Sequence, residues 1–272
     1  MARDVKESAR RDADGPKGRK PGKRRSGSPR PVDDAPDGPG GYIAGDRPAI
    51  AVVVDVALFA VDKGGLVVLL VERRRAPDSG RWAVPGAVLE PEEELTTAAT
   101  RAVEARTGIL EPFDRSEQLA VFDAPDRDPR TRVVSSTILA VAPTAEPPAG
   151  GALASGRWWP VEGMGTDQGP LMAFDHLDIV STGVERLRTR LEHSDLATAL
   201  VDEPFTIADL RRVYEAAWGV ELEPANFRRK VLATRGLVAQ TAGTRVGGTG
   251  RPADLYVRGA GAVLHPPIPR PG

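Results

Sequence analysis

The chain has no cysteine and very little histidine, and these absences remove several kinds of chemistry. Its 272 residues include no cysteine and three histidines. Without thiols there is no disulfide, no thiolate-bound metal and no cysteine nucleophile. No apolar run approaches the roughly 18 residues that suggest a membrane span, and the basic N-terminal segment is not followed by an apolar stretch. We therefore expect a soluble, cytoplasmic protein with no metal site and no membrane partner.

Charge is balanced over the whole chain but is divided unevenly along it. Lys and Arg total 37 against 38 Asp and Glu, a formal net charge of −1, which by itself argues against a general polyanion binder. The net charge is +4 over residues 1–48 (12 basic, 8 acidic) and −9 over residues 49–202 (15 basic, 24 acidic). The remainder, from 203 to 272, is again +4. The average therefore hides two basic segments around an acidic middle.

Residues 1–48 have the composition of a disordered basic tail. No Leu, Ile, Phe, Trp or Tyr occurs before Tyr42, whereas Gly, Pro, Ser, Arg and Asp are abundant. Such a segment cannot bury enough apolar surface to offset its conformational entropy. The run from Lys17 to Arg25 either contacts phosphate groups without specificity or serves as a solubilising tail.

Residues 49–202 have the pattern of an α/β domain. Apolar runs at 51–60 and 66–71 flank Asp62-Lys-Gly-Gly65 and predict a β-hairpin. Apolar residues three to four apart predict a helix over 92–106, followed by strands at 118–122, 133–142 and 157–161. A long helix is expected over 174–191 and a shorter one over 194–201.

One stretch of this domain carries a recognisable motif. The segment from Pro85 to Ile109 resembles the Nudix box, G-x5-E-x7-R-E-U-x-E-E-x-G-U with U aliphatic, and it has the strand-loop-helix setting of that box. The matching positions are Glu93, Arg101, Val103, Gly108 and Ile109, whereas Ala87 stands at the first glycine. The resemblance covers about residues 50–165 and implies a Nudix-like α/β/α sandwich.

The departures from the motif concern its chemistry. The three helix carboxylates of the family fall here on Ala102, Ala105 and Arg106. A divalent metal beside a pyrophosphate needs hard anionic oxygens on one helix face, and neither alanine nor arginine supplies them. Glu104 is one residue out of register, about 100° round the helix, and is expected to face solvent. We therefore expect no hydrolase activity, no catalytic residue and no cofactor.

A Nudix fold without its metal site can still bind a nucleotide. Positive side chains suit a diphosphate, and an aromatic ring suits a base. The residues predicted to bind such an effector are Arg73, Arg75, Arg81, Trp82, Glu90 and Arg106. For each arginine the alternative is a solvated surface position, and for Trp82 it is a place in the core.

Residues 203–260 have the order helix, turn, helix, β-hairpin, which is that of a winged helix. Thr206 is a candidate N-cap with Asp209 three residues on, Gly219 ends the first helix, and Pro224 begins the second. Two strands at 237–241 and 254–257 flank a flexible tip. Residues 261–272 are expected to be a flexible C-terminal tail.

The second helix of this domain has the residue types of a DNA recognition helix. Arginine pairs with guanine and asparagine with adenine in the major groove, and residues 225–258 hold seven basic residues and one acidic residue. The predicted DNA-binding residues are Thr206, Asn226, Arg228, Arg229, Lys230, Arg245 and Arg251. The alternative is a winged helix that binds protein through a solvated basic face.

Three segments of the C-terminal region, 204–215, 226–231 and 250–256, resemble the Nudix-related transcriptional regulators of the NrtR family. That family joins a Nudix-like domain to a winged helix in this order. The resemblance implies a sequence-specific repressor of NAD-metabolism genes, which acts as a homodimer on palindromic double-stranded DNA and senses ADP-ribose or a related nucleotide. An ADP-ribose or nucleoside-diphosphate hydrolase with accessory DNA binding is the competing hypothesis.

Overall fold

The structure is a computed structural model that describes residues 50–63, 65–107, 115–145, 156–246 and 252–271. The side chains of Arg106 and Thr107 are not among those described. The predicted disordered tail at 1–48 lies outside the described residues, as does Arg251 of the wing.

Seven of the described strands form one mixed sheet, and two more form a separate hairpin. The strands are β1 (Ala51–Asp62), β2 (Gly65–Glu72), β3 (Trp82–Ala83), β4 (Gly86–Val88), β5 (Glu117–Phe122), β6 (Val133–Val141), β7 (Gly156–Pro160), β8 (Val238–Arg245) and β9 (Ala253–Arg258). The main order is β3-β2-β1-β6-β5, with β4 paired to β1 and β7 to β2. Strands β1 and β6 run parallel, and the other pairs are antiparallel. The predicted hairpin is confirmed, since Asp62 lies opposite Gly65.

The helices are α1 (Leu95–Thr107), α2 (His176–His193), the 3₁₀ helix Asp195–Leu200, α3 (Ile207–Trp218) and α4 (Pro224–Ala233). They agree with the predicted helices to within a few residues at each end.

The large sheet is covered on both faces, which explains why β1 is apolar along most of its length. Val56 and Leu58 point to the face that packs with Val103 of α1. Phe59 points to the opposite face, which packs with α2. A β-carbon at Gly183 would lie 2.8 Å from the ring of Phe59, so glycine lets α2 approach the sheet closely. The expected α/β/α sandwich is confirmed.

The winged helix has the predicted local signals at its helix ends. Thr206 and Asp209 form a reciprocal capping box at the start of α3. Gly219 ends α3 in the left-handed conformation at φ 68°. Pro224 occupies the first turn of α4, and the Glu223 carboxylate accepts hydrogen bonds from the next two free backbone N–H groups. Strands β8 and β9 then form the antiparallel wing.

The winged helix and the sandwich share one hydrophobic core. The cluster that contains Phe59 and Leu187 continues through Leu200 into Leu210 and Trp218 of α3. Across the same joint, Nε of Arg188 donates to the carbonyl of Ala217 at 2.8 Å. The joint is therefore a packed interface and not a loose linker.

The C-terminal segment departs from the flexible tail predicted for residues 261–272. Leu264 and Ile268 are buried, and their N–H groups donate to His193 and Glu192 at 2.9 Å and 3.0 Å. Thr234, which caps α4, donates its hydroxyl to the carbonyl of Pro266 at 3.3 Å. Two widely spaced apolar side chains among prolines hold this segment against the helices, a tertiary effect that the local composition does not reveal.

Candidate functional sites

An ion pair between Arg101 and Glu93, two residues of the Nudix-like motif, holds the loop before α1 in place. Arg101 donates from Nε and Nη2 to the two carboxylate oxygens of Glu93, at 2.8 Å and 2.7 Å. The same guanidinium reaches the carbonyl of Val88 at 2.9 Å. The hydrogen bond from Arg101 lowers the pKa of Glu93 below its ordinary value. These residues therefore fix the shape of the loop, and the carboxylate remains ionised.

The positions of the missing carboxylates lie on α1. Ala102 is buried, whereas Glu104 and Ala105 are exposed, so the prediction that Glu104 faces solvent is confirmed. The backbone of Arg106 belongs to α1, but its side chain lies outside the described part of the chain. Within the described ranges, no three His, Asp or Glu side chains are grouped so that they could hold a metal ion.

Three of the predicted effector residues lie together where β2 turns into β3. The N–H of Arg73 donates to the carbonyl of Arg81 at 2.9 Å, and Trp82 follows directly. Arg73 also donates twice to the carbonyl of Pro77, and its guanidinium carbon lies 4.4 Å from the centre of the Phe174 ring. The structure thus places an arginine-rich turn against the start of α2.

The other predicted effector residues are distributed around this turn. Arg75 is exposed on it. Trp82 is half-buried and packs edge-on against Trp159, with ring centres 5.1 Å apart, so it contributes to the core as well as to the surface. Glu90 is exposed on the Nudix loop, with Oε1 3.9 Å from Nη2 of Arg101.

A buried ionic network beneath this region was missed by sequence reasoning. Arg127 donates to both oxygens of Asp175 at 2.8 Å and lies 3.5 Å from Oδ2 of Asp55. The hydroxyl of Ser135 donates to the same Asp55 oxygen at 2.6 Å. A β-carbon at Gly86 would overlap Asp55 Oδ1, so the carboxylate sits directly against the β4 backbone. The single Asp inside the apolar β1 run was the available signal.

His176 lies beside this network, at the start of α2. Its Nδ1 accepts a hydrogen bond from the N–H of Val84 at 3.1 Å, which requires that nitrogen to be unprotonated. Burial lowers the pKa of the imidazole, and the nearby carboxylates of Asp55 and Asp175 only partly oppose this effect. His176 is therefore a neutral structural group.

The stability of the protein is expected to fall in mild acid because of His176. Since its pKa in the folded state is depressed, the unfolded chain takes up the proton first as pH falls below about 6.5. The free energy of unfolding then decreases by up to about 1.4 kcal/mol per pH unit. Urea unfolding between pH 7 and pH 5 measures this slope. His176→Asn keeps an acceptor near the Nδ1 position, and its free energy of unfolding should depend less steeply on pH. An equal dependence in the variant and the wild type would show that His176 is not the group responsible.

Asp195 joins the two halves of the molecule through ion pairs. Its side chain is only 2% exposed. Arg115, on the sandwich, donates to its two oxygens at 2.8 Å and 3.0 Å, and Arg258, on β9 of the wing, donates to Oδ2 at 2.8 Å. No local sequence signal marks Asp195 because its partners are 80 and 63 residues away.

The basic residues of α4 lie on an accessible face, as predicted. Asn226, Arg228 and Arg229 are exposed and Lys230 is half-buried, whereas Phe227 and Val231 are buried in the core. The side of α4 opposite the core therefore carries amide and cationic groups. Groups of this kind can contact base edges and phosphates.

Thr206 and Arg245, the other described residues of the predicted DNA surface, have protein partners. The hydroxyl of Thr206 is used in the capping box, and the residue is buried. Arg245 is half-exposed and donates to Oδ2 of Asp209 at 2.8 Å and to the carbonyl of Pro204 at 2.7 Å. Both residues hold the wing and the start of α3 in place. Arg251 and the tip of the wing lie outside the described residues.

This combination of folds defines a class of protein, a Nudix sandwich fused to a DNA-binding winged helix. The NUDIX domain family matches residues 50–178, and the NrtR DNA-binding winged helix domain family matches residues 197–257. In Acinetobacter baylyi, the ADPR responsive transcriptional repressor NtrR is 32% identical over 219 residues, covering 79% of this chain and 84% of that protein. The chain belongs to the NrtR family of transcriptional regulators.

Other similarities agree with both halves of the fold. Shewanella oneidensis NrtR, solved in complex with a 27mer DNA, has a TM-score of 0.66 at 30% identity, over 76% of this chain and 93% of that one. The ADP-ribose pyrophosphatase of Methanocaldococcus jannaschii is 31% identical over 113 residues, which cover 42% of this chain and 63% of that enzyme. Within the described residues, no helix has the length and apolar character needed to cross a bilayer.

Proposed function

We propose that the protein is a transcriptional repressor whose affinity for its operator is controlled by ADP-ribose or a related nucleotide. The observation that carries this proposal is the exposed basic face of α4 on a winged helix whose core continues into a Nudix sandwich. The similarity to a repressor named as ADPR responsive supports the choice of ligand.

The proposed effector site lies around the turn between β2 and β3. Arg73, Arg75 and Arg81 supply positive charge for a diphosphate, and Trp82 offers an aromatic edge beside them. Glu90 and Arg106 complete the proposed set from the Nudix loop and α1. Binding is proposed to occur without hydrolysis, because Ala102 and Ala105 stand where the family has carboxylates.

The side chains proposed to enter the major groove are those of α4: Asn226, Arg228, Arg229 and Lys230. The wing is proposed to approach the DNA backbone with Arg245 and Arg251. Thr206 is proposed to act at this surface through its capping of α3.

The path between the sites is proposed to run through the shared core and Asp195. Arg115 lies between α1 and β5, and through Asp195 it is linked to Arg258 of the wing. A nucleotide that moves the sandwich side of this junction would change the position of the wing. Such a ligand alters DNA affinity only if it binds the DNA-competent and incompetent states differently.

The finer biological assignment is also part of the proposal. The regulated genes are proposed to be those of NAD metabolism, and the active form to be a cytoplasmic homodimer. A two-fold symmetric dimer matches palindromic operators, because each winged helix then meets an equivalent half-site.

A gel-shift assay on the DNA upstream of the protein's own operon, with and without ADP-ribose, tests the proposal. We expect a discrete complex at nanomolar protein whose affinity changes by about tenfold or more with saturating ADP-ribose, a coupling of typical size. If the affinity of the complex is the same with and without ADP-ribose, ADP-ribose is not the effector. The absence of a sequence-specific complex would overturn the regulatory function itself and would favour a winged helix that binds protein.

The competing hydrolase hypothesis is tested by incubation with ADP-ribose and Mg²⁺ or Mn²⁺. We expect no turnover at ordinary enzyme rates, which are typically about 1–1000 per second. Release of AMP at such a rate would establish the enzyme and contradict the proposed non-catalytic role.

A further inference from the structure

An acidic side chain lies within the basic surface of the winged helix. Asp254 is the single acidic residue between positions 225 and 258, where the sequence has seven basic residues. It belongs to β9 and is partly exposed, at 38%. A carboxylate at a surface that approaches phosphates is repelled by them, so its presence calls for a compensating role.

The partner of Asp254 identifies that role. Oδ2 of Asp254 accepts a hydrogen bond from Nη2 of Arg228 at 3.3 Å, across the groove between α4 and the wing. Arg228 lies in the first half of α4, the part of a recognition helix that reaches base edges. The carboxylate of Asp254 thus holds the guanidinium of Arg228 from the side of the wing. This hydrogen bond uses one of the five N–H donors of the guanidinium.

A guanidinium held in this way remains competent to bind a base. Guanine presents the O6 and N7 acceptors in the major groove, and arginine contacts both with two parallel N–H groups. Four N–H groups of Arg228 are not used by Asp254. A flexible arginine loses side-chain freedom when it binds, and a partner that restricts it beforehand reduces that loss. The restriction also favours one direction of approach and therefore one base pair.

Resting on the proposed regulatory function, we propose that Asp254 is a positioning residue that aims Arg228 at a guanine in each operator half-site. Asp254 therefore sets specificity while its charge opposes non-specific binding. Arg229 provides an internal comparison because its partner is different: its Nη2 donates to Oδ1 of Asn226 at 2.7 Å. Loss of Asp254 should leave the contact of Arg229 unchanged.

The test is a selection from a random double-stranded DNA library, carried out with the full wild-type chain and with four variants of it. Arg228→Ala identifies the base pair that Arg228 contacts. Asp254→Ala is expected to reduce the preference for guanine at that same base pair by about tenfold, within the range for one specific contact. Other positions keep their preferences, and affinity for a scrambled duplex is unchanged or higher. Asp167→Ala, on an exposed site of the sandwich, is the control for the change in charge.

Several results would overturn the proposal. Asp254→Ala could raise affinity equally for all sequences, which would make the carboxylate merely repulsive. If Asp254→Ala lost its base preference at every operator position and also had a lower melting temperature, the role of Asp254 would be structural only. Asp254→Glu, which keeps an acceptor, should restore the guanine preference at least in part, and no recovery would contradict positioning. If the wild-type chain selects no sequence, the proposed function fails, and this inference fails with it.

Discussion

Replacing Asp195 with alanine is expected to lower the free energy of unfolding by about 3 kcal/mol, the lower end of the range for breaking a buried ion pair. The lower end applies because Arg115 and Arg258 are 20% and 44% exposed, so water can partly solvate them after the change. The loss arises because three charge-assisted hydrogen bonds disappear and two cations are left beside an apolar core. Urea unfolding followed by circular dichroism measures the change.

The matched control for this substitution is Asp202→Ala. Asp202 lies seven residues further on, carries the same charge and is exposed. Its removal should change the free energy of unfolding by less than about 0.5 kcal/mol. Equal effects of the two substitutions would show that the Asp195 junction contributes nothing beyond ordinary surface charge.

Reversing three charges on α4, by Arg228→Glu with Arg229→Glu and Lys230→Glu, is expected to abolish operator binding. DNA binding is favoured by the release of counterions from the phosphates, and each lost phosphate contact reduces that release. Each new carboxylate also repels the phosphate backbone of the DNA. The affinity should fall by more than about a hundredfold at physiological salt. Because these side chains lie away from the core, the melting temperature should stay within a few degrees. Gel-shift titrations and thermal unfolding measure the two quantities.

A charge reversal on the sandwich separates this effect from a general change in charge. Lys63 and Arg157 are exposed, distant in sequence from the winged helix and outside the proposed effector site, so Lys63→Glu with Arg157→Glu should leave operator affinity within about threefold. Binding that survives the α4 reversal would mean that α4 is not the recognition helix.

The features that were predictable from the sequence are those that depend on near neighbours. A capping box at Thr206, a left-handed Gly219 and a first-turn Pro224 are each specified within three residues, and all three are present. The double-sided burial of β1 follows from its apolar run, which only Asp55 interrupts between positions 51 and 61. The Nudix register predicted an exposed Glu104 because a shift of one residue turns a side chain about 100° round a helix.

The features that were not predictable depend on residues far apart in the chain. Arg127, in the connection between β5 and β6, meets Asp55 of β1 and Asp175 before α2 only in the folded chain. Likewise, Leu264 and Ile268 are buried in a cluster to which α2, α3 and α4 all contribute, so their burial depends on residues far away in the chain. At the candidate DNA surface, residue types indicated which side chains are available. Only the structure indicated which partners already hold Arg228 and Arg245.

The continuous core across the joint has a consequence for how the winged helix can be used. Leu210, Tyr214 and Trp218 of α3 belong to one apolar cluster with Leu187 and Leu191 of α2, so cutting the chain before α3 would divide this cluster. The winged helix is therefore not an independent domain that could be fused to another sensor domain without redesign of the surface it buries against the sandwich. The same continuity makes folding cooperative, so a nucleotide held by the sandwich would raise the melting temperature of the winged helix as well.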